Sequence, residues 1–113
     1  MKTTELMIGD KVMVKVLSQI PNTYVLHTWT ANDYLRDIQV NPIPLTPEIL
    51  EKNGWWYDSD DMWQHEEVGF YIEKWNGRFQ CYDINDIKLD SVHQLQQTLR
   101  LCGLNELADN FKI

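Results

Sequence analysis

The stretch "VGFYIEKWNGRFQCYDI" (Val68–Ile84) constrains this chain more than any other. Asn-Gly between alternating apolar residues favours a two-residue type I′ turn, because both positions must take left-handed backbone. Asn76-Gly77 therefore predicts a tight hairpin. Counting outward pairs Trp75 with Arg78, Lys74 with Phe79, Glu73 with Gln80, Ile72 with Cys81 and Tyr71 with Tyr82. Side chains alternate across a strand. Phe70, Ile72, Phe79 and Cys81 then form a core face, and Tyr71, Glu73, Trp75, Arg78, Gln80 and Tyr82 a polar face with aromatics. An isolated hairpin is marginal in water, so something must cover the apolar side.

The cover is written in "SVHQLQQTLRLCG" (Ser91–Gly103). Ser91 followed by Gln94 fits a capping box. Val92, Leu95, Leu99 and Cys102 make an apolar stripe, and His93, Gln94, Gln96, Gln97 and Arg100 the opposite side. Gly103 suits the left-handed closing position, with Leu104 folding back on Leu99. The expectation is a helix with one side on the hairpin and its polar side in water, His93 bonding a neighbouring loop. "NELADNFKI" adds a short end anchored by Leu107 and Phe111.

Upstream, Thr46 is a predicted N-cap with Pro47 in the first helical position, Leu45 and Leu50 form a hydrophobic staple, and Gly54 is the stop. "WWYDSDDMWQHEE" predicts a second hairpin tipped at Asp58–Asp61, completing an antiparallel meander. "KVMVKVL" (Lys11–Leu17) alternates, with Val12, Val14 and Val16 on one side. "TYVLHTW" (Thr23–Trp29) and "YLRDIQV" (Tyr34–Val40) supply two more strands. The reading is one α+β domain over residues 1–113. It has a small curled, SH3-like N-terminal sheet, a short helix, a meander, and a C-terminal helix packed on the sheet.

Charge narrows the function. The net charge is −7. Nucleic-acid binders bring Lys and Arg to phosphates, so nucleic acid is a disfavoured partner, as is an anionic membrane. The charge suits solubility or a basic protein partner. No apolar run approaches the ~20 residues that span a bilayer, and no basic start leads into an apolar leader. Cys81 and Cys102 are too far apart for a metal knuckle and read as reduced, buried thiols. A cytoplasmic protein is expected.

Chemical motifs are sparse. Asp58, Asp60, Asp61, His65, Glu66 and Glu67 begin like a cation loop, but Met62 stands where a third ligand belongs, and "HEEVG" lacks a second His. A solvated hairpin tip is expected, with no metal and no cofactor. Neither thiol has a basic residue at a telling spacing, so the chain reads as no enzyme. The candidate binding residues are Tyr71, Trp75, Arg78, Tyr82 and Trp63. Tyr, Trp and Arg dominate binding hot spots. Trp75 opposite Arg78 allows a cation–π pair, and Tyr71 opposite Tyr82 an aromatic pair. Trp55, Trp56, Trp63 and Trp75 exceed what one small hairpin region can bury. A homodimer or partner surface using Trp55, Trp63 or Trp75 is therefore expected. The alternative is a nucleic-acid-associated SH3-like module using Lys11 and Lys15.

Three blocks, "LMIGDKV", "PIPLTPEILEKNGW" and "IKLDSVHQLQQTLRLCG", also carry a resemblance. In this order the chain resembles a family of small uncharacterised proteins of Bacteroides-type bacteria, often encoded near phage or mobile-element genes. Gly9, Pro44, Leu45, Thr46, His93, Leu95 and Gln96 match its motif. The chain departs from it in the acidic "YDSDDMWQHEE" insert and in lacking an aromatic pair in the last helix. The resemblance implies small size and a cytoplasmic location, and assigns no activity. With the face above, it makes a non-catalytic protein-interaction accessory module the leading expectation.

Overall fold

The computed structural model describes residues 5–17, 23–35, 38–82 and 87–113. Two antiparallel sheets are present among them. The first has the order β2-β1-β3, with β1 (Lys11–Val16) between β2 (Val25–Thr28) and β3 (Ile38–Asn41). The second is the meander β4 (Trp55–Tyr57), β5 (Met62–His65), β6 (Ile72–Trp75) and β7 (Arg78–Cys81). Helices α1 (Pro47–Lys52), α2 (Val92–Leu101) and α3 (Asn105–Asp109) complete an α+β fold. No described helix is long and apolar enough to cross a membrane.

The hairpin register is the expected one: Ile72 pairs with Cys81, Glu73 with Gln80, Lys74 with Phe79 and Trp75 with Arg78. Asn76 and Gly77 take φ of 50° and 76° at the turn. Thr46 caps α1 through its hydroxyl, which accepts from the Ile49 N–H at 3.3 Å. Behind the meander, Phe70, Ile72, Phe79 and Cys81 pack with Leu50, Leu89, Val92, Leu95, Leu99 and Phe111. The helix ends as its sequence requires. Gly103 has φ of 78°, and the Leu104 N–H returns to the Leu99 carbonyl at 2.9 Å.

The N-terminal sheet departs from expectation. It is open, with β2 and β3 as edges, and no strand pairing joins it to the meander, so the SH3-like closure is absent among the described residues. Tyr34 was expected in a strand beginning there; it lies in a 3₁₀ turn, Ala31–Leu35. The cause is local. The Asp33 carboxylate accepts from the Thr30 N–H at 2.7 Å and the Thr30 hydroxyl at 2.9 Å, closing a turn that a strand could not keep. Burial raises the pKa of this carboxyl, but the bonds from His27 and Thr30 outweigh it and hold it at about 2. Tyr34 stacks edge-on to Trp29 and donates to the Leu6 carbonyl, sealing a small core of Leu6, Val12, Val14, Trp29 and Val40.

The largest departure concerns α2. Its polar side is not in water: His93, Gln96 and Thr98 are buried. Gln96 accepts from the Lys11 N–H at 2.7 Å and donates to the carbonyls of Gly9 and Ala108 at 3.0 and 2.8 Å. Asp10, fully buried, accepts from the Met7 N–H, the Gln97 amide and Arg100. Gly9 has φ of 95°, and a Cβ there would sit 2.9 Å from Arg100 Nη2. Helix α2 is thus a two-sided wall, greasy toward the meander and polar toward the first sheet. Cys102 is exposed because it caps the helix end, which corrects the expected pair of buried thiols; Cys81 is buried. His93 meets the Ser91 hydroxyl at 3.0 Å rather than a neighbouring loop.

Two outcomes follow from this wall. Gln96→Leu keeps the volume but orphans the Lys11 N–H and two carbonyls, and should cost about 2 kcal/mol or more by urea denaturation. Asp10→Ala orphans the Met7 N–H and the Gln97 amide and leaves Arg100 only the longer contact to Asp109 at 3.4 Å, and should cost about 3 kcal/mol. The second outcome concerns pH. Desolvation pushes the His93 imidazole below its ordinary 6.5, partly opposed by Asp10 and Glu5. A depressed His takes up its proton more readily in the unfolded chain, so its contribution is complete above pH 6.5 and falls as pH drops below it. The urea midpoint should decline from about pH 7.5 to about pH 5.5, and His93→Gln should flatten that decline.

Candidate functional site

The side of the meander turned away from the core is uncovered. Alternation from the hairpin register places Met62 and Gln64 of β5, Glu73 and Trp75 of β6 with Tyr71 just before it, and Arg78 and Gln80 of β7 with Tyr82 just after it, on this side. Trp56 joins them because it pairs with Gln64. Trp56 is 47% exposed, Tyr71 44%, Trp75 60% and Tyr82 50%. Buried apolar residues lie directly behind, so the face is a rigid shelf rather than a flap.

One end of the shelf is a cleft of about 390 Å³. Tyr71 and Tyr82 meet Met62 and Gln64 there, with Asp58, Asp60 and Glu73 among the walls. The hairpin turn brings the two aspartates over the strands: the Asp58 N–H donates to the Met62 carbonyl, and Asp61 adopts φ of 58°. Asp58 accepts from the Ser59 N–H and the Gln64 amide, and Glu73 from the Gln80 amide at 3.0 Å. These donors are neutral. No described Lys, Arg or His forms an ion pair with Asp58, Asp60 or Glu73. Asp61 is held by the Tyr57 hydroxyl at 3.1 Å, and that bond raises the Tyr57 pKa.

Of the residues singled out in the sequence, Tyr71, Trp75, Arg78 and Tyr82 share this face. Trp63 does not. It is buried, pairs with Ile72 and rests edge-on against Tyr57, because alternation in β5 turns it inward between Met62 and Gln64. Trp55 is likewise buried, against His65 and Phe70. Of the tryptophans expected at a surface, Trp75 is exposed and Trp55 and Trp63 are not, while Trp56, outside that expectation, is exposed beside them. Arg78 forms no cation–π pair with Trp75; its guanidinium forks onto Asp90, with Nε 3.1 Å from Oδ1. That pairing raises the Arg78 pKa and lowers that of Asp90. Tyr71 and Tyr82 are joined through backbone, Tyr82 N–H to the Tyr71 carbonyl at 2.9 Å, and their rings flank the cleft without stacking. Trp56, Met62, Asp58, Asp60 and Glu73 were missed as site residues. Carrying the hairpin register through β5 to β4 would have placed the first two.

A larger cleft, about 570 Å³, lies between the end of α1, the β4–β5 strands and α3. Its polar groups hold the architecture. The Glu67 N–H donates to His65 Nδ1, which leaves the His65 Nε2–H to donate to the Asn53 carbonyl at 3.0 Å. The Asn53 side chain bonds the Ile49 and Lys112 carbonyls and the Lys112 N–H. Among the described residues, no three His, Cys, Asp or Glu side chains gather as a metal site. The chain matches no family model, no curated protein and no solved structure.

The two tryptophans separate the face from the core. Trp63→Ala should cost about 3–5 kcal/mol of stability. Trp75→Ala should stay within about 0.5 kcal/mol. Urea denaturation of both variants checks the assignment.

Proposed function

We propose that this protein is a non-catalytic protein-interaction module that docks a partner on the outward face of the meander. The observation that carries the reading is the uncovered shelf of Trp56, Tyr71, Trp75 and Tyr82 on a fully packed core. Aromatic rings on a rigid support supply large contact area at little entropic cost. A binding role over a catalytic one is favoured by the use of polar groups elsewhere. His65 and Asn53 hold the larger cleft together, and Ser91 and His93 belong to the start of α2.

The resemblance in the "PIPLTPEILEKNGW" and "VHQLQQTLRLCG" blocks extends the proposal to a cytoplasmic accessory of a phage or other mobile element. The nucleic-acid reading has weaker support. Lys11 already donates to the Thr28 hydroxyl and Lys15 covers the Tyr24 ring. Self-association through the same face remains a competing use of it.

The test compares wild type with Tyr71→Ala/Trp75→Ala. Proteins captured from the native host are identified, and each is purified and titrated against both forms. A partner bound by wild type and weakened at least about tenfold by the variant is the expected result, since exposed hot-spot rings are worth 1–2 kcal/mol or more each. Equal binding by both forms refutes the face as the docking site.

A further inference from the structure

We infer that the cleft at the end of this face receives an arginine side chain presented by an extended segment of the partner protein. The inference rests on the interaction reading above and names its ligand chemistry. Its basis is the composition of the uncovered sheet face. Tyr71 and Tyr82 line a cleft of about 390 Å³ whose rim carries Asp58, Asp60 and Glu73. Asp58 accepts from the Ser59 N–H and hydroxyl and the Gln64 amide, and Glu73 from the Gln80 amide; these donors are neutral, and no described cation pairs with Asp58, Asp60 or Glu73. Two described cations share this face: Arg78 is matched to Asp90, and Lys88, bridged to Gln80, lies beside the same Asp90. Lys88 sits across the outer edge of β7 and is not among the residues that line the cleft. The net charge of −7 adds long-range attraction for a basic segment.

The geometry favours a guanidinium over other cations. A divalent metal needs converging oxygens, and these carboxylates do not gather as a metal set among the described residues. An arginine has a planar head that stacks on tyrosine while its fork meets a carboxylate, and an aliphatic stem that Met62 can cover. A lysine ammonium is more strongly hydrated and lacks the fork, so it gains less from the same walls. The exposed Trp56, paired with the cleft residue Gln64, and Trp75, two residues on from the cleft residue Glu73, adjoin the cleft and can take apolar residues next to the arginine.

The experiment uses the intact protein and a fluorescent Gly-Ser peptide carrying spaced arginines. Matched peptides carry lysine or citrulline, the latter neutral and nearly isosteric. Fluorescence anisotropy should show the arginine peptide bound most tightly, the lysine peptide weaker, and the citrulline peptide weaker by about tenfold or more. Tyr71→Ala/Tyr82→Ala keeps the net charge and should weaken the arginine peptide about tenfold. Asp60→Asn/Glu73→Gln should do the same. Glu51→Gln/Glu106→Gln, on the opposite cleft, removes equal charge and should leave binding within about twofold. Thermal melts check that every variant folds. Binding that follows net charge alone, or that ignores the tyrosines, overturns the inference. A dimer in light scattering that Tyr71→Ala/Trp75→Ala dissociates, with no arginine preference, also overturns it. If the native partner still needs this face while no arginine peptide binds, the arginine inference fails and the interaction reading survives. If the partner ignores the face, both fail.

Discussion

The fold depends on a buried carboxylate. Asp10, at the start of β1, collects the Met7 N–H, the Gln97 amide and the Arg100 guanidinium with no exposure to water. Removing a charge from water is costly, and only a full set of partners recovers that cost. The two side-chain partners, Gln97 and Arg100, come from α2, whose other side closes the main core. Around Asp10, Gln96 ties the backbone of Gly9 and Lys11 to that of Ala108 in α3. Polar bonds of this kind are directional. They set the angle and register at which the first sheet meets the helix, which an apolar contact alone would leave loose.

This arrangement also determines what is left open. With α2 between the two sheets, the inner face of the meander is covered and its outer face has nothing to meet. Trp55 and Trp63 fall inside and become core, while Trp56 and Trp75, one residue from an inward neighbour, fall outside. The acidic hairpin tip then stands over one end of the exposed rings. Asp58 and Asp61 in it are oriented by neutral donors, which leave their charge in place. An aromatic floor beside carboxylates that no described cation pairs is the feature on which the proposed binding role rests.

Local signals were legible wherever backbone chemistry is decided within a few residues. The Asn76-Gly77 turn, the Thr46 cap and the Gly103 stop all took the expected form. From the turn, counting alone gave the register of β6 and β7 and therefore the shared face of Tyr71, Trp75, Arg78 and Tyr82. Aromatic crowding suggests an outward Trp63, whereas strand alternation carried from Ile72 turns it inward. Tyr34 opens a β-propensity run, but a Thr-to-Asp turn competes with it, and the bonds from His27 and Thr30 to Asp33 decide the contest.

By itself the sequence determined the elements whose signals are short-range: turns, caps, the alternation of the hairpin and the apolar stripe of α2. It also determined the charge, which no packing alters. Only the tertiary structure decided what the polar stripe of α2 is for. Gln96, Gln97 and Arg100 look like a solvated face, since long polar side chains usually lie in water. Their partners sit 85 to 90 residues away in the chain. No periodicity encodes a contact at that separation. It exists because a buried carboxylate and two backbone segments require donors and acceptors, and the fold brings α2 to supply them.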